Sequence, residues 1–295
     1  SYYATYRGRI MNTYKITPVE KHNGIYYKRD DLYAPYGDVN GGKVRQTIEI
    51  LENCNIQSGI IASTSVHSPS STIFSRVAQE YNVPCIIAVG GTKPENLDKL
   101  PMMRLCKHYG AEIRIVAGHG MKTAISARIR EIQQENGYYN PDFSKHIHTH
   151  QELMFVNAQQ VANIPDELDV LIAPVGSGIQ FANILKGIHK YNKSVKRIIG
   201  VQVGPDRRKL IDSYLYKELV WEEKITYEYE LMQYELQFPH SYSKSEIQRV
   251  GDFELDDLYE AKAHKWMLNN IVSDKVLFWC VGRRFFDGME SIFAV

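Results

Sequence analysis

Three stretches of this sequence combine glycine, hydroxyl and charged residues at spacings that can do chemistry. Asn40-Gly-Gly-Lys-Val-Arg45 places a lysine directly after two glycines, where a helical pattern starts. The positive end of a helix opposes a cation there and eases its deprotonation. That is what a Schiff-base lysine needs; a solvated turn lysine is the plainer alternative. Pro174-Val-Gly-Ser-Gly-Ile-Gln180 joins an apolar run to another helical pattern. Glycines at such a junction let backbone N–H groups face an anion, and a phosphate is the predicted guest. The spacing is neither GxGxxG nor a P-loop. The alternative is a glycine-rich turn without a ligand. Ser63-Thr-Ser-Val-His-Ser-Pro-Ser-Ser-Thr72 offers hydroxyls and N–H groups for a carboxylate, or serves only as a cluster of helix caps.

The elements that position these stretches alternate. Short apolar runs predict strands at 24–28, 58–63, 84–89, 112–116, 169–173, 197–203 and 275–280. Helical spacing is predicted over 43–54, 71–81, 100–109, 121–136, 157–163, 179–191 and 256–268, with Gly110 and Gly137 as stop signals. Residues 205–255 are polar and Tyr-rich and give no assignment. Alternating strands and helices predict parallel, doubly wound sheets in two α/β lobes. Ligands in such folds bind beyond the carboxyl ends of the strands.

Composition narrows the class. Of 295 residues, 44% are hydrophobic and 23% charged, with a formal net charge of +1. That excludes a disordered chain and a histone-like polycation. No apolar run approaches a membrane span, and the first residues lack an apolar leader, so a cytoplasmic protein is expected (host cytoplasm, if viral). Cys54, Cys85, Cys106 and Cys280 form no CxxC, which argues against zinc or disulfides. His148 and His150 would share a face of a strand, but no third ligand lies nearby in sequence, so no metal is expected.

Together these stretches resemble the fold-type II pyridoxal-phosphate enzymes (tryptophan synthase beta-like). Within them the 1-aminocyclopropane-1-carboxylate deaminase and D-cysteine desulfhydrase branch is the most similar. The resemblance runs from Thr17-Pro18 to Gly282. It takes in Tyr27-Lys-Arg-Asp-Asp-Leu32, the lysine motif, the glycine loop, Leu258-Tyr-Glu-Ala-Lys-Ala263 and Leu277-Phe-Trp-Cys-Val-Gly282. It implies a large cofactor domain of 1–44 and 147–295, a small α/β domain of 45–146, and pyridoxal 5′-phosphate in the cleft between the lobes. It implies Lys43 as the Schiff-base lysine and Gly176, Ser177, Gly178, Ile179 and Gln180 as the phosphate loop. Glu260 is implied at the pyridine nitrogen. Ser68, Ser71 and Thr72 are implied near the cofactor ring or substrate carboxylate, and Tyr242 and Tyr259 as active-site tyrosines. Asp30 and Asp31 read as structural partners of Arg29.

The sequence also departs from that pattern. An asparagine usual in the hydroxyl-rich loop is absent, Val281 stands where a threonine is frequent, and Arg283-Arg284 follows Gly282. The expected reaction is deaminase or lyase chemistry at the α-carbon of an amino acid or amine, through an imine with the cofactor, in a homodimer without membrane attachment. One alternative is a viral enzyme, such as a decarboxylase, acting on an amino-acid-modified nucleotide or DNA base. Another is a protein that binds the cofactor without catalysis.

Overall fold

The structure, a computed structural model, describes residues 4–6, 9–54, 56, 58–141, 151–216, 225–241 and 244–294. Tyr242, His148 and His150 lie outside the described residues. In chain order the described strands are β1 (Ala4–Tyr6), β2 (Arg9–Met11), β3 (Val19–His22), β4 (Ile25–Arg29), β5 (Ile60–Ser63), β6 (Cys85–Gly90), β7 (Glu112–Ala117), β8 (Glu167–Val175), β9 (Ser194–Gln202), β10 (Glu230–Gln233), β11 (Arg249–Val250), β12 (Phe253–Glu254) and β13 (Val276–Cys280). The α-helices are α1 (Gly42–Asn53), α2 (Pro69–Tyr81), α3 (Pro101–His108), α4 (Lys122–Asn136), α5 (Gln151–Met154), α6 (Ile179–Lys190), α7 (Arg208–Tyr216), α8 (Tyr234–Gln237), α9 (Glu260–Asn270) and α10 (Met289–Phe293). None of the described helices is long and apolar enough to cross a membrane.

Contacts divide the chain into two compact units, one of 1–13, 34–146 and 284–295, the other of 14–33 and 147–283. The expected boundary after residue 44 differs from this division. It would cut α1 between Val44 and Arg45, two residues buried in one continuous helix. Residues 34–44 therefore pack with the smaller sheet.

The smaller unit holds a parallel sheet in the order β5-β6-β7. Ile60, Ile61, Ile86 and Ile87 are buried in it, and Ile125 and Ile129 of α4 cover one face. The continuous apolar runs that predicted these strands are what a sheet covered on both faces requires. α2 starts at Pro69, two residues before the predicted start, because Ser68 caps it and proline suits the first helical position.

The larger unit holds a sheet in the order β10-β9-β8-β13-β4-β3, parallel except for β3 against β4. Tyr27, Ile172, Ile199 and Phe278 form its core with Trp266 of α9. Gly187 lets α6 approach closely, since a Cβ there would fall 2.3 Å from the Ala158 carbonyl oxygen. The turn at 156–163 is a 3₁₀ helix, not the α-helix its spacing predicted. The unassigned stretch 205–255 contributes α7, β10, α8 and the β11–β12 pair.

Because β8, β9, β13 and β4 run parallel, the residues after each of them emerge at one edge. Arg29, at the end of β4, is locked there. Its Nε and one terminal nitrogen donate to the two Asp31 carboxylate oxygens at 3.0 Å each, and the other nitrogen donates to Glu20 at 2.8 Å. Asp30 accepts from the Thr17 hydroxyl at 3.1 Å. Both aspartates are buried, in the structural role their sequence position implies.

Candidate active site

Lys43 is the second residue of α1. The chain enters this helix through Gly41, whose φ of +93° suits glycine alone. Lys43 is half-buried, and its Nζ donates to Ser70 Oγ at 2.7 Å. Ser70 is absent from the sequence-derived candidates, and its position explains why Ser71 and Thr72 do not take that place. At the third and fourth positions of α2, Ser71 Oγ donates to the Ser68 carbonyl and Thr72 Oγ1 to the Pro69 carbonyl, each at 2.8 Å. Ser68 Oγ accepts from the Ser70 amide at 3.2 Å as the helix cap. Ser68, Ser71 and Thr72 thus build the start of α2, and Ser70, one residue after the N1 proline, meets the lysine; a place for Ser68, Ser71 and Thr72 near the cofactor ring or substrate carboxylate stays a proposal. The signal was legible as Ser-Pro-Ser, a cap followed by a proline that leaves the next hydroxyl free of capping duty.

In the other unit, Gly176, Ser177 and Gly178 form the turn between β8 and α6. Gly178 caps α6 at φ +90°, and a Cβ on it would fall 2.7 Å from Ile211 Cγ1. Gly178 provides no side-chain cap for α6. The Gln180 side chain is turned to Asn157, whose Nδ2 donates to it at 2.9 Å. Gly176 is exposed, with open space where a Cβ would stand. A glycine cradle opening onto a helix N-terminus fits a phosphate. The structure is therefore compatible with the group the sequence predicts. Gly178→Ala should lose about 1–3 kcal/mol of stability from the strained backbone and the Ile211 contact. Urea unfolding of the cofactor-free protein checks this, and trimming Ile211 as well should recover part of the loss.

Glu260 opens α9 and is 1% exposed. Its carboxyl accepts from the Gly282 amide at 2.8 Å and from the Asp256 amide at 3.4 Å. Burial, with Asp31 and Asp256 adding to it, pushes its pKa well above the usual carboxylate range. Tyr259 is half-buried at the cap of the same helix, where its amide donates to Asp256 at 2.9 Å. The shift has a pH signature. The unfolded carboxyl ionises above about pH 4.5 while the folded one stays protonated, so the native state binds more protons and stability falls as pH rises towards the folded pKa. Glu260→Gln removes that ionisation. From about pH 5 to about pH 8 its stability relative to wild type should rise, by at most ~1.4 kcal/mol per pH unit. Denaturation of both cofactor-free proteins across that range checks it; a constant difference would contradict it.

Among the described residues no cluster of three His, Cys, Asp or Glu can hold a metal ion. The four cysteines are free.

The family described as pyridoxal-phosphate dependent enzyme matches residues 10–233. A curated relative, an O-seryl-dTMP PLP-dependent decarboxylase of Salmonella phage ViI, is 28% identical over 229 residues, covering 68% of this chain and 54% of that protein. The chain thus spans about half the length of this relative. Among solved structures, an ACC deaminase homologue aligns with a TM-score of 0.69 at 18% identity, covering 94% of each chain. Threonine deaminase isoform 2 of Solanum lycopersicum aligns at 0.59 and 12% identity over 95% of this chain and 87% of that one. Serine racemase of Dictyostelium discoideum aligns at 0.56 and 14% identity over 92% and 94%. These likenesses establish the fold.

Proposed function

The chain belongs to the pyridoxal-phosphate dependent enzyme family, and from that premise we propose that it decarboxylates an amino acid carried on a thymidine nucleotide. The observation that carries the choice of reaction is the 229-residue match to the phage decarboxylase of seryl-thymidylate. Pyridoxal 5′-phosphate, when bound, supplies the electron sink that lets a bond at the α-carbon break.

The chain's own residues supply the rest of the proposal. Lys43 would hold the cofactor, and its amine would move a proton at the substrate's α-carbon. Ser70, 2.7 Å from Nζ, orients that amine. Loss of the carboxylate as carbon dioxide leaves an electron pair on the α-carbon, and one proton returned there by Lys43 completes the reaction. A single proton donor therefore suffices. Glu260, buried in the first turn of α9, would sit at the pyridine nitrogen. The amides of Gly176–Gln180 would bind the phosphate. Tyr242 and Tyr259 remain proposed substrate contacts, and the homodimer belongs to the same reading.

The test is a product balance. O-seryl-dTMP, free and within an oligonucleotide, is incubated with the cofactor-loaded enzyme, and carbon dioxide and ammonia are both measured. Carbon dioxide with retention of the amine supports decarboxylation. Ammonia without carbon dioxide would restore the deaminase or lyase reading, as would turnover of free amino acids alone.

A further inference from the structure

We propose that Arg207 binds the cofactor's phosphate, adding a full positive charge to the amides of the glycine loop. The inference rests on the cofactor reading above and extends it to a residue outside the glycine motif. Arg207 follows β9, whose parallel neighbour β8 leads into Gly176. Two contacts fix it. Its backbone amide donates to Gln202 Oε1 at 2.6 Å, and Gln202 is 2% exposed. Its Nε donates to the Gly176 carbonyl at 3.0 Å. A Cβ on Gly178 would lie 3.9 Å from Arg207 Cβ, so the side chain spans the loop from one glycine to the other.

Among the described residues no carboxylate pairs with this guanidinium, and its Nε uses one of five N–H donors. The adjacent Asp206 is engaged elsewhere, accepting from the Arg208 amide at 3.1 Å and from Gln202 Nε2 at 3.3 Å. The sequence compounds the imbalance. Arg207, Arg208 and Lys209 crowd the start of α7, the end where a helix disfavours cations. Arg208 lies over the Tyr229 ring at 4.7 Å. Arg207 is the cation held against the loop, and its fork suits a phosphate monoester.

The experiment measures the affinity of the cofactor-free chain for pyridoxal 5′-phosphate and for pyridoxal, which lacks the phosphate. Wild type, Arg207→Gln, Arg207→Lys and Arg207→Ala are compared. The glutamine keeps a donor for the Gly176 carbonyl but no charge. Arg207→Gln should weaken pyridoxal 5′-phosphate about 10- to 100-fold and leave pyridoxal unchanged. Arg207→Lys should fall between, and the wild-type affinity should drop more steeply with salt than that of Arg207→Gln. Equal effects on both ligands, or none, would overturn the proposal. So would full affinity in Arg207→Gln with loss only in Arg207→Ala, which would make the residue a loop clamp. Thymidine 5′-phosphate is then titrated against the cofactor-loaded proteins. If only its binding falls in Arg207→Gln, the phosphate at Arg207 is the substrate's and the assignment to the cofactor fails. Wild type that takes up no pyridoxal 5′-phosphate would overturn the cofactor reading itself, an outcome distinct from an unaffected Arg207 variant.

Discussion

Lys43→Ala should lower turnover by about 10³-fold or more, because one substitution removes both the covalent anchor and the proton carrier. Lys43→Arg should not rescue it, since a guanidinium stays protonated and does not form the imine. Ser70→Ala keeps the amine and loses only its orienting partner, so its loss should be far smaller, about 10-fold. Steady-state rates on one substrate give the order wild type, Ser70→Ala, Lys43→Ala. The fold should survive in all three, because Lys43 is half-buried at a helix start and its backbone does not depend on its side chain. Equal rates for Lys43→Ala and wild type would remove this lysine from the mechanism.

Arg29→Leu should be the most damaging substitution for stability, at about 3–5 kcal/mol. Arg29 is 5% exposed and makes three charged hydrogen bonds. Without it, Asp31 stays buried, with Arg283 Nε 3.9 Å away. The cost is that of a stranded charge more than of a lost attraction. The double variant Arg29→Leu with Asp31→Asn should therefore be more stable than the sum of the two single changes implies. Denaturant midpoints of the four proteins close that cycle; strict additivity would mean that the ion pair is not the source of the loss.

Much of this arrangement was legible in the sequence because one physical signal sufficed for each part. Buried parallel strands need unbroken apolar runs, so β5, β6, β8 and β13 stood out. Lysine after Gly-Gly and the Gly-Ser-Gly turn are backbone requirements written in residue type. The missed features depend on direction, which a residue type does not carry. Ser70, Ser71 and Thr72 are equivalent as letters, but helical geometry turns the latter two hydroxyls back onto carbonyls at 68 and 69. Arg207 lies in a polar stretch without periodicity, and its contact with Gly176 joins residues 31 positions apart. The expected lobe boundary differs from the observed division because the segment from 34 to α1 packs through isolated residues such as Val39, which have no periodic pattern.

The central claim is that Lys43 carries the cofactor. Two other lysines are buried more deeply, Lys28 and Lys262, both 0% exposed. Each is committed to structure: Lys28 Nζ donates to the Thr17 carbonyl and to Asn163 Oδ1, and Lys262 Nζ to the Ser241 carbonyl, all at 2.7 Å. Borohydride reduction of the cofactor-loaded protein, followed by digestion and peptide mass mapping, separates the three directly. The predicted result is a phosphopyridoxyl group on the peptide containing Lys43 and on no other. Its appearance on Lys28 or Lys262, or a reduced protein with no modified lysine, would contradict the account.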